Sequence, residues 1–163
     1  MAPFEEVEVT FWDPERQHGS QPPLTPEVVA DTERTLGVTL PESLLRLLRI
    51  RNGGVVADAW DAVPLDGGVD YVPFGEVCGA GPADVPDSIT LSDTPYLIGE
   101  WGLPSPLVLL SGDGHTWVAL DYRACGPAGE PSVVYVDADF EREVPLAPDF
   151  RAFVERLVPS SDC

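Results

Sequence analysis

The clearest periodicity in the chain lies between Leu24 and Gly54, where apolar positions recur at helical spacing in two successive segments. In the first, Val28, Val29, Thr32 and Leu36 follow Thr25-Pro26-Glu27. That opening supplies a hydroxyl N-cap, a proline suited to the first helical position and a negative charge for the first turn. Gly37 stands where a left-handed C-terminal residue is wanted. In the second segment, Leu40-Pro41 opens a helix whose Leu44, Leu45, Leu47 and Leu48 form a broad apolar face. Glu42 and Arg46 are expected to pair at i,i+4 outside that face. Asn52-Gly53-Gly54 ends the helix, because Asn and Gly tolerate the positive φ of a sharp exit.

Elsewhere the period shortens to two. Val7, Val9 and Phe11 alternate with Glu6, Glu8 and Thr10, which predicts a strand over 4–12. A turn-rich loop from Asp13 to Pro23 follows, with Trp12 as its anchor. Gly, Asp and Pro make Val55 to Gly68 a loop. Val69 to Val77 reads as a strand that Pro73 places at an edge, and Tyr96 to Glu100 as a short apolar run. Leu107 to Leu110 and Thr116 to Tyr122 flank Ser111-Gly112-Asp113-Gly114 and predict a hairpin. Val133 to Val136 is expected to pair with its second strand. Phe150, Phe153, Val154 and Leu157 close the chain as a short amphipathic helix. The expected fold is α+β: a twisted antiparallel sheet with helices packed on one face, the other face covered by loops or open to a partner. One domain spans residues 1–163, with 1–23 as an N-terminal strand-and-loop extension and 24–158 as the core.

The order Glu33-x-x-Leu36-Gly37-x-x-Leu40-Pro41, a leucine-rich helix and Asn52-Gly53-Gly54 resembles the signature of the SUKH superfamily, the Smi/Knr-type proteins. Leu97-Ile98-Gly99, the run Pro106 to Ser111 and Thr116 to Asp121 are similar to the family's strands. Val133 to Asp137 and the helix near Phe150 to Leu157 are similar to its close, so the resemblance covers most of the chain from about residue 24. It implies an α+β fold. It also implies the function of many bacterial members, immunity proteins that neutralise a cognate toxin.

Charge sharpens that expectation. Asp and Glu number 28 against nine Lys and Arg, a formal net charge of −19, and every basic residue is Arg. Such a surface repels nucleic acid and anionic membranes, and it suits a basic protein partner and plain solubility equally. Three widely spaced cysteines, Cys78, Cys125 and Cys163, form neither a disulfide framework nor a zinc motif. The start MAPFEEVEV lacks the basic and apolar regions of a signal peptide, and no apolar run approaches the ~20 residues of a spanning helix. A cytoplasmic protein is expected.

Candidates for chemistry are sparse, and no catalytic residue, metal site or cofactor is expected. His115 lies beside Asp113 with Asp121 on the next strand, but no nucleophile elbow or His-Glu-x-x-His helix accompanies them. Polar turn chemistry accounts for that histidine. Asp137, Asp139, Glu141 and Glu143 are spaced by two like part of a calcium loop, yet Arg142 fills the sixth position, where Gly is required. If extended, they line one strand face as a solvated acidic surface. The binding features are aromatic residues beside carboxylates in loop-like stretches: Asp58, Trp60, Asp61, Asp66 and Asp70, then Glu100 and Trp101. These seven are the candidate contacts for a basic toxin domain. The alternative readings are a regulatory or scaffolding module, or a small hydrolase or metal-dependent enzyme built on His115 and nearby carboxylates.

Overall fold

A computed structural model describes residues 2–65 and 70–163. It opens not with a strand but with a helix, α1 (Phe4–Thr10). The competing periods are separated by Val9, which is 78% exposed, whereas Phe4, Val7 and Phe11 are fully buried. Spacing of i, i+3 and i+7 therefore describes the segment better than alternation. Glu5 and Glu6 lie in the first turn, where the helix dipole favours them. Only after α1 does the chain extend, with Trp12 bridging to Val56 and the Asp13 amide donating to the Val55 carbonyl at 3.0 Å. Trp12 anchors this turn: it is buried and its indole donates to the Leu47 carbonyl at 3.0 Å.

The central helical pair forms as its punctuation predicts. In α2 (Pro26–Leu36) the Thr25 hydroxyl accepts from the Val28 amide, and Gly37 takes φ 71° while its N–H donates to the Glu33 carbonyl. Glu33 also uses its side chain, accepting the Leu40 amide at 2.7 Å and so holding the turn into the next helix. In α3 (Glu42–Ile50) Leu44, Leu45, Leu47 and Leu48 are buried. The expected Glu42–Arg46 pair is replaced: Glu42 meets Arg49, and Arg46 reaches Glu8 of α1. Packing of α1 against α3 puts a closer carboxylate beside Arg46 than the one on its own helix. Leu44→Ala or Leu48→Ala is expected to lower stability by about 2–5 kcal/mol, read as a shift in the urea midpoint.

Short strands follow. β1 (Gly54–Val55), a 3₁₀ turn at Asp58–Trp60 and β2 (Ala62–Pro64) lie where a loop was expected. The single strand expected over 69–77 is split into β3 (Tyr71–Pro73) and β4 (Glu76–Val77). β2 pairs with β3, and β1 with β4, both antiparallel.

A further correction concerns Leu97-Ile98-Gly99, which is similar in sequence to a strand of the family but is helical here. A 3₁₀ turn at Leu91–Asp93 leads into α4 (Thr94–Trp101), started by a reciprocal Thr90–Asp93 capping box and ended by Gly102 at φ 65°.

The main sheet has four antiparallel strands in the order β5 (Leu107–Gly112), β6 (Thr116–Asp121), β7 (Ser132–Asp137) and β8 (Arg142–Ala147). The predicted hairpin and its third strand are present, with a bulge between Leu109 and Ser111. β8 was not foreseen. It is an edge strand, and Pro145 and its charged residues suit an edge. Asp137, Asp139, Glu141 and Glu143 therefore do not line one strand, because the chain turns between β7 and β8.

One sheet face presents Val108, Leu110, Val118, Leu120, Val133 and Leu146 to the main core, shared with α1, α3 and the closing helix α5 (Phe150–Glu155). The other face carries Leu107, Leu109, Trp117, Ala119, Val134 and Val136, and α4 covers it through Leu97 and Ile98. That face is thus partly closed by a helix rather than by loops alone.

Candidate functional site

The predicted contact residues fall into two groups along the chain, and none of the described ones lines the groove that opens beside β4 and β5. In the first group, Asp58 is exposed and accepts from the Arg16 guanidinium at 2.6 Å. Trp60 packs partly against the core and its indole donates to the Thr10 hydroxyl at 3.1 Å. Asp61 is committed internally, accepting the Ser160 amide at 2.7 Å and its hydroxyl at 3.0 Å. Asp70 is exposed beside β3. Asp66 lies outside the described residues. In the second group, Glu100 and Trp101 end α4, both exposed, and the Trp101 ring meets His115 edge-on at 5.0 Å.

β4 and β5 touch where the Cys78 amide donates to the Leu110 carbonyl at 2.7 Å, and the groove opens beyond that contact. Two adjoining cavities of about 520 and 530 Å³ share His18, Glu76, Ser111, Gly112 and Trp117. Arg16 lines one end of the first, and Asp113 and Thr116 line the other. The groove thus runs from the Arg16–Asp58 pair to the tip of the β5–β6 hairpin.

The chemistry of these groups is that of turns and ion pairs. Asp113 accepts the amides of Thr116 and His115, each at 2.9 Å, and these bonds hold its carboxyl below the usual range. His115 itself faces Asp139, at 3.2 Å, across the two hairpin tips. Asp121 does not join them: its partner is Arg123 at 2.9 Å, and that guanidinium also reaches Glu143. The Arg123 bond holds the Asp121 carboxyl below its usual range. The trio of His115, Asp113 and Asp121 considered from the sequence is therefore not assembled. Ser111 and His18 line the same cavity with no hydrogen bond between them. Cys78 is a poor nucleophile, since burial, helped by Asp93 and Glu76, pushes its thiol up to about 12. Among the described residues no group of three or more His, Cys, Asp or Glu is placed to hold a metal ion. No helix of the described residues is long and apolar enough to cross a membrane.

The family model of the SMI1 / KNR4 family (SUKH-1) matches residues 23–156, from just before α2 to the residue after α5. The chain belongs to the SMI1 / KNR4 family. No curated protein is a significant match to it. The SMI1 / KNR4 region leaves α1 ahead of its first matched residue. Within it, the motif residues read from the sequence each have a structural task. Glu33 and Gly37 shape the α2–α3 turn, as described above. Asn52 is buried, donates to the carbonyls of Pro22 and Ala80 at 2.9 and 2.7 Å, and accepts the Ala80 amide at 2.8 Å. The signature residues thus hold the α2–α3 turn and join the exit of α3 to Pro22 and Ala80, and Gly54 lines the second cavity.

Two exposed residues near the hairpin tips, His115 and Phe140, stand outside the predicted set. Phe140, 80% exposed at the β7–β8 turn, was passed over as part of an acidic tract. His115 was weighed only as a catalytic group. The available signal was an apolar side chain inside a run of turn-forming acids.

Proposed function

We propose that the protein is an immunity protein, acting in the bacterial cytoplasm, that binds and occludes a cognate toxin domain. Membership of the SMI1 / KNR4 family supports the class of function. The observation that carries the mechanism is how the positive charge is spent. Arg16, Arg34, Arg46, Arg49, Arg123 and Arg151 each pair with carboxylates of the chain itself. Arg51 and Arg156 donate to backbone carbonyls, and the ninth basic residue, Arg142, is exposed at the start of β8. What faces solvent is then predominantly carboxylate, in a chain of net charge −19. The field favours a basic partner and speeds its approach. A nuclease toxin fits this reading well, because a groove built to attract phosphates also attracts an acidic occupant. Asp58, Asp70, Glu100 and Trp101 are the exposed members of the predicted set and the first contacts to consider, while Asp61 and Trp60 support them from within.

The test is co-expression with the toxin domain encoded beside this gene. Growth abolished by the toxin domain alone is expected to return when the protein is made with it. Persistent killing in cells that contain the folded protein would overturn the immunity reading.

A further inference from the structure

Resting on the immunity reading, we propose that the partner docks on the end of the main sheet where Trp101, His115, Asp139 and Phe140 meet, and that it presents a basic side chain there, Arg or Lys. Two exposed aromatic side chains stand on the segments that His115 joins here: Phe140, next to Asp139, is 80% exposed and Trp101 38%. Large apolar groups left in water on a small protein mark an interaction surface when they cluster. Aromatic anchors are also the residues that dominate interface energetics. Asp139 sets a carboxylate beside His115, whose ring meets Trp101, and Glu100 stands exposed at the same end of α4. A guanidinium or ammonium therefore finds a ring face and a counter-ion in one place. An anionic or purely apolar partner satisfies only half of the surface.

The patch is also held in shape before anything binds. The Asp137 carboxylate accepts the amides of Asp139 and Phe140 at 3.0 and 3.3 Å, fixing the β7–β8 turn. Asp113 does the same for the β5–β6 turn, and the Ala138 amide donates to the His115 carbonyl at 2.8 Å, tying one tip to the other. His115 stands between Trp101 and Asp139 as the link from helix to turn. Such preorganisation lowers the entropy lost on association. The patch adjoins the groove through Asp113 and Thr116, so a toxin seated on it also covers that opening.

The experiment measures the affinity of the purified toxin domain encoded beside this gene for four forms of the full chain. These are the parent, Phe140→Ala combined with Trp101→Ala, Glu100→Arg combined with Glu141→Arg, and a control, Glu6→Arg combined with Glu27→Arg, on α1 and α2. Urea midpoints verify that each form is folded. The aromatic pair is expected to weaken binding about 100-fold or more, and the tip charge reversal at least ~10-fold. The control makes the same change in net charge and is expected to stay within ~3-fold of the parent. Parent-like binding by both tip variants would overturn the docking site and leave immunity standing. Equal losses in tip and control reversals, with the aromatic variant unaffected, would replace the site by a diffuse field. Absence of binding by the parent would overturn the immunity reading and this site with it.

Discussion

Replacing Gly79 by alanine is expected to destabilise the protein by about 4 kcal/mol or more, enough to remove most of the stability of an ordinary domain. A Cβ at Gly79 would lie 2.2 Å from the Asn52 carbonyl oxygen and 2.8 Å from its carbon, both backbone atoms. Across the same contact, a Cβ at Gly53 would lie 2.4 Å from the Gly79 amide nitrogen, with φ at +88° as a further penalty. The two main chains touch here, and no side-chain rotation relieves the overlap. Either substitution must pry the exit of α3 away from the segment that follows β4. Gly99 supplies the contrast, since it lies within α4 with nothing within 4 Å of its added Cβ. Gly99→Ala is expected to raise stability by about 0.5–1 kcal/mol, because it removes chain entropy from the unfolded state and improves helix propensity. Urea melts of the three variants check all of this. A Gly79→Ala midpoint equal to the parent's would show that the close approach is not real.

Asn52→Ala is expected to cost about 3–5 kcal/mol, because the deletion leaves the buried amide and carbonyl of Ala80 without partners and gives up the bond to the more exposed Pro22 carbonyl. The side chain joins two segments that share no strand pairing, the loop before α2 and the segment after β4. Its loss is therefore expected to loosen both at once. Hydrogen exchange at the Ala80 amide would report this directly, with protection lost in the variant even where the leucine face of α3 remains protected. Asn52→Asp keeps the acceptor for Ala80 but removes both donated bonds and buries a charge facing two carbonyls, so it is expected to be no more stable than the alanine variant. Retained stability in either variant would contradict the reading of Asn52 as the clamp between these segments.

These positions show which parts of the fold are legible in the chain. The α2–α3 unit is clear because capping, period and termination all agree, and the β5–β6–β7 meander is clear because turn residues bracket strands of even length. The Asn52-Gly53-Gly54 motif was readable as an exit from α3. Its close approach to Gly79 was not, because that partner is supplied by a distant segment. α1 was read as a strand since seven residues hold too few repeats to separate periods of 2.0 and 3.6, and Val9 tipped the count. α4 was hidden by Gly99 at its centre, although Thr90-x-x-Asp93 and Gly102 were its proper start and stop. β8 was masked by its charge and by Pro145, features that an edge strand tolerates. For the interaction surface, proximity in sequence was the misleading guide. Asp58, Trp60 and Asp61 look like one cluster on paper, yet Asp61 holds Ser160 and Trp60 is partly packed. Trp101, His115 and Asp139 are far apart along the chain, and His115 meets the other two only when the hairpins and α4 pack on one sheet.

The central claim, that this protein disarms a basic toxin domain by covering it, is tested most directly by titrating the purified neighbour-encoded toxin domain with the protein while following both toxin activity and association rate. The account predicts that activity falls to background at one equivalent. Association should approach ~10⁸ M⁻¹s⁻¹ at low ionic strength and slow with added salt much more than dissociation changes. Full toxin activity in the presence of excess folded protein would contradict the account. Inhibition with a salt-independent association rate would contradict its electrostatic mechanism and leave the exposed aromatics as the basis of recognition.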